Sequence, residues 1–133
     1  MLIQVLKSKL KDVIVTAADT NYEGSITLDP DLMDAAQLWP YERVEINAVN
    51  GESRITTYVI SGERGSGCVE LNGGAANFFV KGQHIHVNCF ASVKLPPHLF
   101  TDETEDPKSY HHGFYGQYYP KIVITDENNK VID

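Results

Sequence analysis

Short runs that alternate apolar and polar residues, separated by turn-forming residues, predict a mainly β chain. In the longest run, the apolar Ile85, Val87 and Cys89 alternate with polar neighbours. Asn50-Gly51 lies between two β-rich runs, and this dipeptide is a strong signal for a hairpin. The predicted strands are Leu2–Leu6, Val13–Thr16, Arg43–Val49, Arg54–Ile60, Gly65–Leu71 and His84–Val93.

One segment, from Asp29 to Leu38, has the pattern of a helix. Asp29 suits the N-cap, and Pro30 suits the first helical position because its missing N–H is not needed there. Pro40 is expected to end the helix shortly after Trp39. No strand–helix–strand alternation is present, so a doubly wound parallel sheet is excluded and the pattern favours an all-β barrel with one or two short helices.

Size and charge narrow the class of protein. The chain has 133 residues, which suits one domain, and its 11 basic and 18 acidic residues give a formal charge of −7. Phosphate groups would repel such a chain, so neither nucleic acid nor an anionic membrane is an expected partner. No apolar run approaches the roughly 20 residues of a membrane helix.

Two cysteines, Cys68 and Cys89, are too few for a disulfide framework and lack metal-ligand spacing. Because the N-terminal segment does not resemble an export signal, we expect both to be buried free thiols in the cytoplasm. His84 and His86 share one strand face and could hold a metal, but no third ligand follows by motif. We therefore expect no metal site.

The segment from Lys94 onward differs in amino-acid composition from the rest of the chain. Thr101–Asp106 is acidic and is expected to be a solvated linker. Tyr110–Tyr119 is strongly aromatic, so we expect it to pack on the barrel or on a neighbouring subunit, the alternative being a disordered tail. Lys121–Thr125 and Val131–Ile132 are expected to pair as a hairpin.

The dipeptide Gly24-Ser25 carries the chemistry. A serine after a glycine in a strained loop can attack the preceding carbonyl with its hydroxyl, which converts the peptide bond into an ester. β-Elimination of the ester gives dehydroalanine, and hydrolysis leaves a pyruvoyl group on the new N-terminus. This ketone condenses with an amine and acts as an electron sink. Most Gly-Ser pairs are ordinary turns, so the dipeptide alone does not decide the function.

Further motifs occur in order around this dipeptide. They are Lys9-Leu10, Val15-Thr16-x-Ala18-Asp19, Tyr22-Glu23-Gly24-Ser25, Leu32-x-Asp34-Ala35-Ala36, Arg54-x-x-Thr57-Tyr58, Glu63-Arg64-Gly65-Ser66 and Asn72-Gly73. Together they resemble the bacterial pyruvoyl-dependent aspartate 1-decarboxylase family. The resemblance runs from Met1 to about Val93, and the segment after Lys94 has no match to it. The chain is therefore expected to divide into a barrel at 1–93 and an extension at 94–133.

The resemblance implies a double-psi β-barrel and a lyase that matures from a zymogen by autocatalytic cleavage between residues 24 and 25. It implies a pyruvoyl cofactor derived from Ser25, and decarboxylation of L-aspartate to β-alanine and CO₂ for pantothenate biosynthesis. It also implies a homotetramer of cleaved chains with active sites between subunits. Some relatives use a maturation factor, so one is a further expected partner.

The resemblance also assigns roles to matching positions. Ser25 becomes the pyruvoyl group, Tyr58 is the proton donor, and Tyr22, Gly24 and Thr57 assist processing. The substrate-binding residues are Lys9, Arg54, Thr57, Asn72, Gly73, Gly74 and Ala75. Physical chemistry agrees with these roles, because an arginine can grip a carboxylate with two parallel hydrogen bonds and a phenol can donate a proton without adding charge.

Each role has a structural alternative. Arg54 and Tyr58 lie on one face of a strand and could be a simple exposed pair, Tyr22 could only anchor the loop, and Asn72 could be an ordinary turn residue.

The chain also departs from the family at three positions: Lys11 stands where His is common, Asn47 where Trp is common and His86 where an aliphatic residue is common. These departures leave processing and the choice between aspartate and glutamate open. A catalytically silent barrel that binds without cleavage is the competing class of function.

Overall fold

A computed structural model describes residues 2–94 and 119–133. The predicted mainly β class with one or two short helices is confirmed. The strands are β1 (Leu2–Ile14), β2 (Ala17–Asp19), β3 (Ser25–Leu28), β4 (Arg43–Ala48), β5 (Arg54–Ser61), β6 (Val69–Asn72), β7 (His84–Lys94) and β8 (Lys121–Ile124). The helices are α1 (Pro30–Ala36) and a short 3₁₀ helix (Gly73–Asn77).

The eight strands form one curved, barrel-like sheet in the order β2-β6-β3-β5-β4-β7-β1-β8. β1 and β2 lie near opposite ends of this order, although only Val15 and Thr16 separate them in the chain. The sheet must therefore curl back on itself. Hydrogen bonds from Val15 N to Gln83 O (2.9 Å) and from Thr16 N to Val69 O (2.8 Å) join the two ends.

The inner face of the sheet carries the hydrophobic core, and its outer face carries the polar side chains. Val44 and Ile46 of β4 and Ile85 and Val87 of β7 are at most 1% exposed. Because side chains alternate along a strand, the residues between them point to the outer face. This alternation decides which side chains can meet at the candidate site.

β1 is one continuous strand, which corrects the two short runs predicted at Leu2–Leu6 and Val13–Thr16. The polar segment between them stays in the strand because its pairing with β7 shifts register between Leu6 and Ser8 and again between Leu10 and Val13. Such bulges interrupt the simple alternation that the prediction used.

The helix begins as predicted. The Asp29 side chain accepts a hydrogen bond from Asp31 N at 2.9 Å, and Pro30 occupies the first turn. The end differs, because Gln37 takes a left-handed conformation (φ 56°) and closes the helix three residues before Pro40. A left-handed residue ends a helix as firmly as a proline does.

The other predicted strands are confirmed with small shifts. β4 and β5 pair antiparallel around Asn50-Gly51, although their last register pair, Asn47 with Arg54, leaves a longer loop than a two-residue turn. The strand predicted at Gly65–Leu71 is shorter and begins at Val69. β2 and β3 were not predicted, because the polar, turn-forming residues around them conceal two strands of only three and four residues.

The C-terminal residues add a strand to the barrel of the same chain. β8 pairs in parallel with β1, and Val123 is fully buried. The expected pairing of Lys121–Thr125 with Val131–Ile132 is limited to a bridge between Thr125 and Val131.

Several predictions for the extension cannot be compared with the structure. Thr101–Asp106 and all of Tyr110–Tyr119 except Tyr119 lie outside the described residues. The division of the chain at residue 93 stays a prediction.

Candidate active site

Ser25 is the first residue of β3 and is completely buried. Its hydroxyl oxygen accepts a hydrogen bond from Nδ2 of Asn72 at 2.8 Å, and the same amide nitrogen donates to Oγ1 of Thr27 at 2.9 Å. The strands themselves create this contact, because Ser25 pairs directly with Asn72 where β3 and β6 run antiparallel. Asn72 therefore fixes the position of the Ser25 hydroxyl at the Gly24–Ser25 bond.

Gly73, the next residue along, presses against the backbone of the 22–24 loop. Its φ is +61°, and a Cβ at this position would lie 2.5 Å from Tyr22 O and 2.6 Å from Gly24 N. A Cβ on Gly24 would meet only Asn72 O, at 4.0 Å. The close approach that requires a glycine therefore occurs at Gly73, and not at Gly24, where the sequence argument placed it.

The remaining residues of this loop region surround the same bond. The Tyr22 side chain is exposed, and Gly74 has open space where a Cβ would stand. Ala75 is buried in the 3₁₀ helix that follows Gly73. The structure thus brings Tyr22, Gly24, Ser25, Asn72 and Gly73 together, with Gly74 and Ala75 adjacent in the chain.

Tyr58 lies on the strand next to Ser25. β3 and β5 pair in parallel with Ile26 opposite Val59, so Ser25 is level with Tyr58. Tyr58 is 37% exposed, and its ring lies 6.5 Å from that of Tyr41, centroid to centroid. Thr57 pairs with the buried Val44 and therefore points to the opposite face from Tyr58.

Within residues 2–94 and 119–133, neither Thr57 nor Tyr58 forms a hydrogen bond with Ser25. The pairing of β3 with β5 nevertheless puts Thr57 and Tyr58 at the level of the Gly24–Ser25 bond.

The two predicted cations lie apart from Ser25. Arg54 is four residues before Tyr58 on β5, about 13 Å away at about 3.3 Å per residue. Lys9 is on β1, the fourth strand from β3, about 19 Å along a curved sheet at about 4.8 Å per strand. The Arg54 Nε atom forms an ion pair with Glu45 at 3.2 Å. One copy of the chain does not gather the whole predicted set.

A groove beside α1 is not the predicted site. That groove, with a volume of about 680 Å³, is lined by Leu38, Trp39, Lys7 and neighbouring residues of α1. It contains none of the predicted site residues. The candidate site therefore lies elsewhere, with Ser25 buried and with Tyr58 and Arg54 exposed on the outer face of the sheet.

His84 and His86, the two histidines that the structure describes, both contact Asp12. Nδ1 of His84 lies 2.8 Å from a carboxylate oxygen of Asp12, and Nδ1 of His86 accepts from Asp12 N at 3.0 Å. In the described part of the chain, no group of three or more His, Cys, Asp or Glu side chains could hold a metal ion. None of its helices is long and apolar enough to cross a membrane.

Both cysteines are buried free thiols, as predicted. Burial raises the pKa of the Cys89 thiol to about 11, and a hydrogen bond to the Glu42 carboxylate contributes. A thiol with such a pKa is almost wholly protonated near neutral pH, so Cys89 is a poor nucleophile. Cys89 therefore does not compete with Ser25 as a nucleophile.

Sequence reasoning missed Thr27, which shares the Asn72 amide with Ser25. A signal was present, because Ser25 and Thr27 alternate with the buried Ile26 and Leu28. Two hydroxyl side chains two residues apart lie on the same face of a strand. Recognising Ser25–Leu28 as a strand would have found the pair.

Fold and site together define a mainly β, barrel-like protein in which a buried serine, fixed by an asparagine, follows a glycine in a tight loop. The model of the aspartate decarboxylase family matches residues 1–102. The chain belongs to this family, so the resemblance stated from its motifs is confirmed.

Three relatives named aspartate 1-decarboxylase show how far the similarity extends. The protein of Leptospira biflexa is 41% identical over 130 residues, which cover 98% of this chain and 97% of the relative. That of Caldicellulosiruptor saccharolyticus is 41% identical over 132 residues (99% and 90%), and that of Thermoanaerobacter pseudethanolicus is 37% identical over 129 residues (97% and 96%). These alignments pass well beyond Lys94, so the prediction that the segment after Lys94 has no match in the family is wrong.

Proposed function

We propose that this chain is a self-processing, pyruvoyl-dependent decarboxylase that converts L-aspartate to β-alanine and CO₂. One observation carries the proposal: the hydroxyl of Ser25 is buried and held by Asn72 beside the Gly24 carbonyl, in a chain that belongs to the aspartate decarboxylase family. A catalytically silent barrel has no need for a fixed hydroxyl at this bond.

The residues around Ser25 suit the cleavage. The Asn72 amide donates to the Ser25 oxygen, which leaves the hydroxyl proton free to depart as the oxygen attacks the Gly24 carbonyl carbon. The C–N bond between residues 24 and 25 breaks and an ester forms, while the Ser25 nitrogen becomes an amine and takes up the hydroxyl proton. Elimination then releases the Gly24 carboxylate and leaves dehydroalanine, and hydrolysis with loss of ammonia gives the pyruvoyl group.

The pyruvoyl group supplies an electron sink for the bond to the departing carboxylate. Tyr58 donates the proton that replaces this carboxylate, because its phenol lies level with Ser25 on the next strand. Lys9 and Arg54 bind carboxylate groups of the substrate. Thr57 assists processing and binding, and backbone N–H groups at Gly73, Gly74 and Ala75 contact the substrate.

A second copy of the chain completes the site. Lys9 and Arg54 lie on the outer face, too far around the curved sheet to meet one small amino acid together with Ser25 of the same copy. When two barrels pack together through their outer faces, Lys9 and Arg54 of one copy can lie beside Ser25 of the other. The exposed Tyr41 and Tyr58 supply aromatic surface for such contact. The proposed assembly is a homotetramer, and a maturation factor is a further proposed partner.

Intact-mass measurement of the purified chain tests the proposal. We expect a 24-residue piece and a 109-residue piece (133 − 24) whose N-terminus is blocked by a ketone. Ser25→Ala should remain at full length and should not release CO₂ from L-aspartate, whereas Ser66→Ala, a matched serine after Gly65, should cleave normally. A wild-type chain that stays whole after prolonged warming, with or without a cell extract as a source of maturation factors, contradicts the proposal.

A further inference from the structure

Three polar side chains stand directly opposite one another across β5, β4 and β7. Arg54 pairs with Asn47, and Asn47 pairs with His86. Side chains opposite each other on adjacent strands share a face, with Cβ atoms about 4.5–5.5 Å apart. Lys9 pairs with Asn88, two residues from His86 on the same outer face. We refer to Arg54, Asn47, His86 and Lys9 as the donor row.

The imidazole of His86 is held in one tautomer. Asp12 takes a left-handed conformation (φ 62°) in the bulge of β1, and its N–H donates to Nδ1 of His86 at 3.0 Å. A backbone N–H can only donate, so Nδ1 accepts and the ring proton resides on Nε2. Burial and the nearby charge of Lys9 lower the pKa of His86, which favours the same neutral form. His86 therefore presents Nε2–H as a donor.

The amide of Asn47, like the imidazole of His86, is oriented so that it presents a hydrogen-bond donor. Its Oδ1 accepts a hydrogen bond from Nδ2 of Asn88 at 2.8 Å, and Asn88 is only 6% exposed. This bond leaves Nδ2 of Asn47 as the end that faces away. Among the described residues, Nδ2 of Asn47 and Nε2 of His86 have no hydrogen-bond partner.

Hydrogen-bond donors are thus left on the four side chains of the row, and Oδ1 of Asn88, the acceptor beside them that has no partner in the described part of the chain, is buried. Two acidic residues contact the row in the described residues. The Glu45 carboxylate engages Nε of Arg54 and leaves the terminal guanidinium nitrogens. Asp12 contacts His86 through its backbone N–H, while its carboxylate lies against Nδ1 of His84. The Lys9 ammonium and the two neutral donors complete the set. A carboxylate offers about four acceptor positions on two oxygens and has no donor, so it complements this row, whereas a side-chain amide does not.

We propose that Asn47 and His86, in the middle of the row, determine specificity by binding the side-chain carboxylate that the substrate keeps after decarboxylation. Arg54 and Lys9 lie three strand spacings apart, about 14 Å, and their long side chains reach this carboxylate from the two ends of the row. The inference rests on the proposed function, because a second copy must bring the row to Ser25. It assigns a binding role to two positions at which this chain departs from the residues common in the family.

Two substitutions that keep the buried acceptor of each side chain test these donors. Asn47→Asp keeps the oxygen that accepts from Asn88 and replaces the outward NH₂ by a carboxylate oxygen. His86→Asn keeps an acceptor near the position of Nδ1 for Asp12 and removes Nε2–H. Each loses a hydrogen bond to a charged group, so we expect KM for L-aspartate to rise at least about tenfold while kcat changes less than about twofold.

Succinate gives a readout that is independent of the reaction, because it carries carboxylates but no amine to react with the ketone. Its inhibition constant should rise by the same factor as KM in both variants. Asn50→Asp is the matched control, since it adds the same charge on an exposed hairpin three residues away. Both constants should stay at wild-type values in this control.

The outcomes separate the inference from the proposed function. If the wild type cleaves and turns over L-aspartate but both variants retain its KM and its succinate inhibition, the inference is wrong. A fall in kcat with unchanged KM also overturns it. A wild type that neither cleaves nor turns over aspartate contradicts the proposed function instead. If Asn47→Asp fails to fold, His86→Asn decides, because it retains the bond to Asp12.

Discussion

At the scale of single residues, Gly24 and Gly73 differ in how closely the chain packs around them at the bond proposed to be cleaved. Gly24 has room for a side chain, whereas Gly73 combines a left-handed φ of +61° with backbone atoms 2.5–2.8 Å from where its Cβ would lie. A neighbouring backbone cannot yield as a flexible side chain can. Gly73 therefore sets how closely the 22–24 loop approaches Asn72, and with it the position of the Ser25 hydroxyl.

Gly73→Ala should slow self-cleavage by about 10²-fold, because displacement of reacting atoms by about 1 Å has effects of this size. The intact mass followed over time gives the rate. Gly82→Ala is the control: its φ of +91° imposes the same kind of strain, but a Cβ there meets nothing within 4 Å. Cleavage of Gly73→Ala at the rate of Gly82→Ala would show that the close approach is irrelevant to processing.

Tyr58→Phe should leave cleavage intact and lower kcat for aspartate by about 10²–10⁴-fold, because only the proton-donating hydroxyl is removed. The ring keeps its place beside Tyr41. Tyr41→Phe removes a hydroxyl from the adjacent ring and should keep the wild-type kcat. Turnover by Tyr58→Phe at the wild-type rate would exclude Tyr58 as the proton donor.

At the scale of elements, the sequence predicts those features that depend only on residues close together in the chain. The Asp29-Pro30 start of α1 and the hairpin at Asn50-Gly51 follow from preferences of neighbouring residues. The contact of Asn72 with Ser25 joins residues 47 positions apart, and only the antiparallel pairing of β3 with β6 creates it. No local pattern reports that pairing, so family motifs were needed to connect the two residues.

β8 shows the same limit at longer range. It pairs with β1, and the turn after it is locked by Asn129, whose side chain accepts from Ile14 N and donates to the carbonyl oxygens of Ile14 and Gly67 at 2.8–2.9 Å. These contacts span 115 and 62 residues. An asparagine in a polar turn gives no sequence signal of such a role.

Asn129→Ala should reduce the free energy of unfolding by about 2 kcal/mol or more, because it leaves three backbone groups without partners in a buried place. Thermal unfolding followed by circular dichroism measures the loss. Asn128→Ala, one residue earlier, removes an exposed amide that makes no side-chain hydrogen bond in the described residues, and its melting temperature should not change. Equal melting of the two variants would refute a locking role for Asn129.

The start of α1 predicts a dependence of stability on pH. Burial alone raises the pKa of Asp29, but hydrogen bonds from the N–H groups of Asp31, Gly67 and Gly65 outweigh it, and the pKa is lowered. A lowered pKa in the folded state means that the stabilisation is complete above the ordinary carboxyl value and is lost as pH falls through the folded value.

Asp29→Asn should therefore be less stable than the wild type near neutral pH, and the difference should shrink as the pH falls below about 4. Denaturant titrations at several pH values measure this difference. Glu52→Gln neutralises an exposed carboxylate on the hairpin and should show no such convergence. A constant difference between Asp29→Asn and wild type at every pH would contradict the charged role of Asp29.

At the scale of the whole molecule, the curved sheet separates the residues that the proposed function assigns to one substrate. Ser25 and Tyr58 lie on β3 and β5, whereas Lys9 lies three strands beyond β5 on a surface that bends away. Alternation along each strand predicts the outward direction of these side chains, but it does not predict what packs against them. The proposed completion of the site by a second copy accounts for the exposure of Tyr41, Tyr58 and Arg54 on the outer face.

Mixed assemblies test this shared site. Ser25→Ala lacks the pyruvoyl group and Arg54→Ala lacks a carboxylate partner, so each alone should have little activity. Co-expressed in equal amounts, the two should regain activity in about a quarter of the sites, those in which an intact Ser25 meets an intact Arg54 from another copy. The double variant Ser25→Ala/Arg54→Ala co-expressed with Arg54→Ala provides no intact Arg54 and should regain none. If Ser25 and Arg54 act within one copy, the first mixture also regains none, because every copy then lacks one of the two residues.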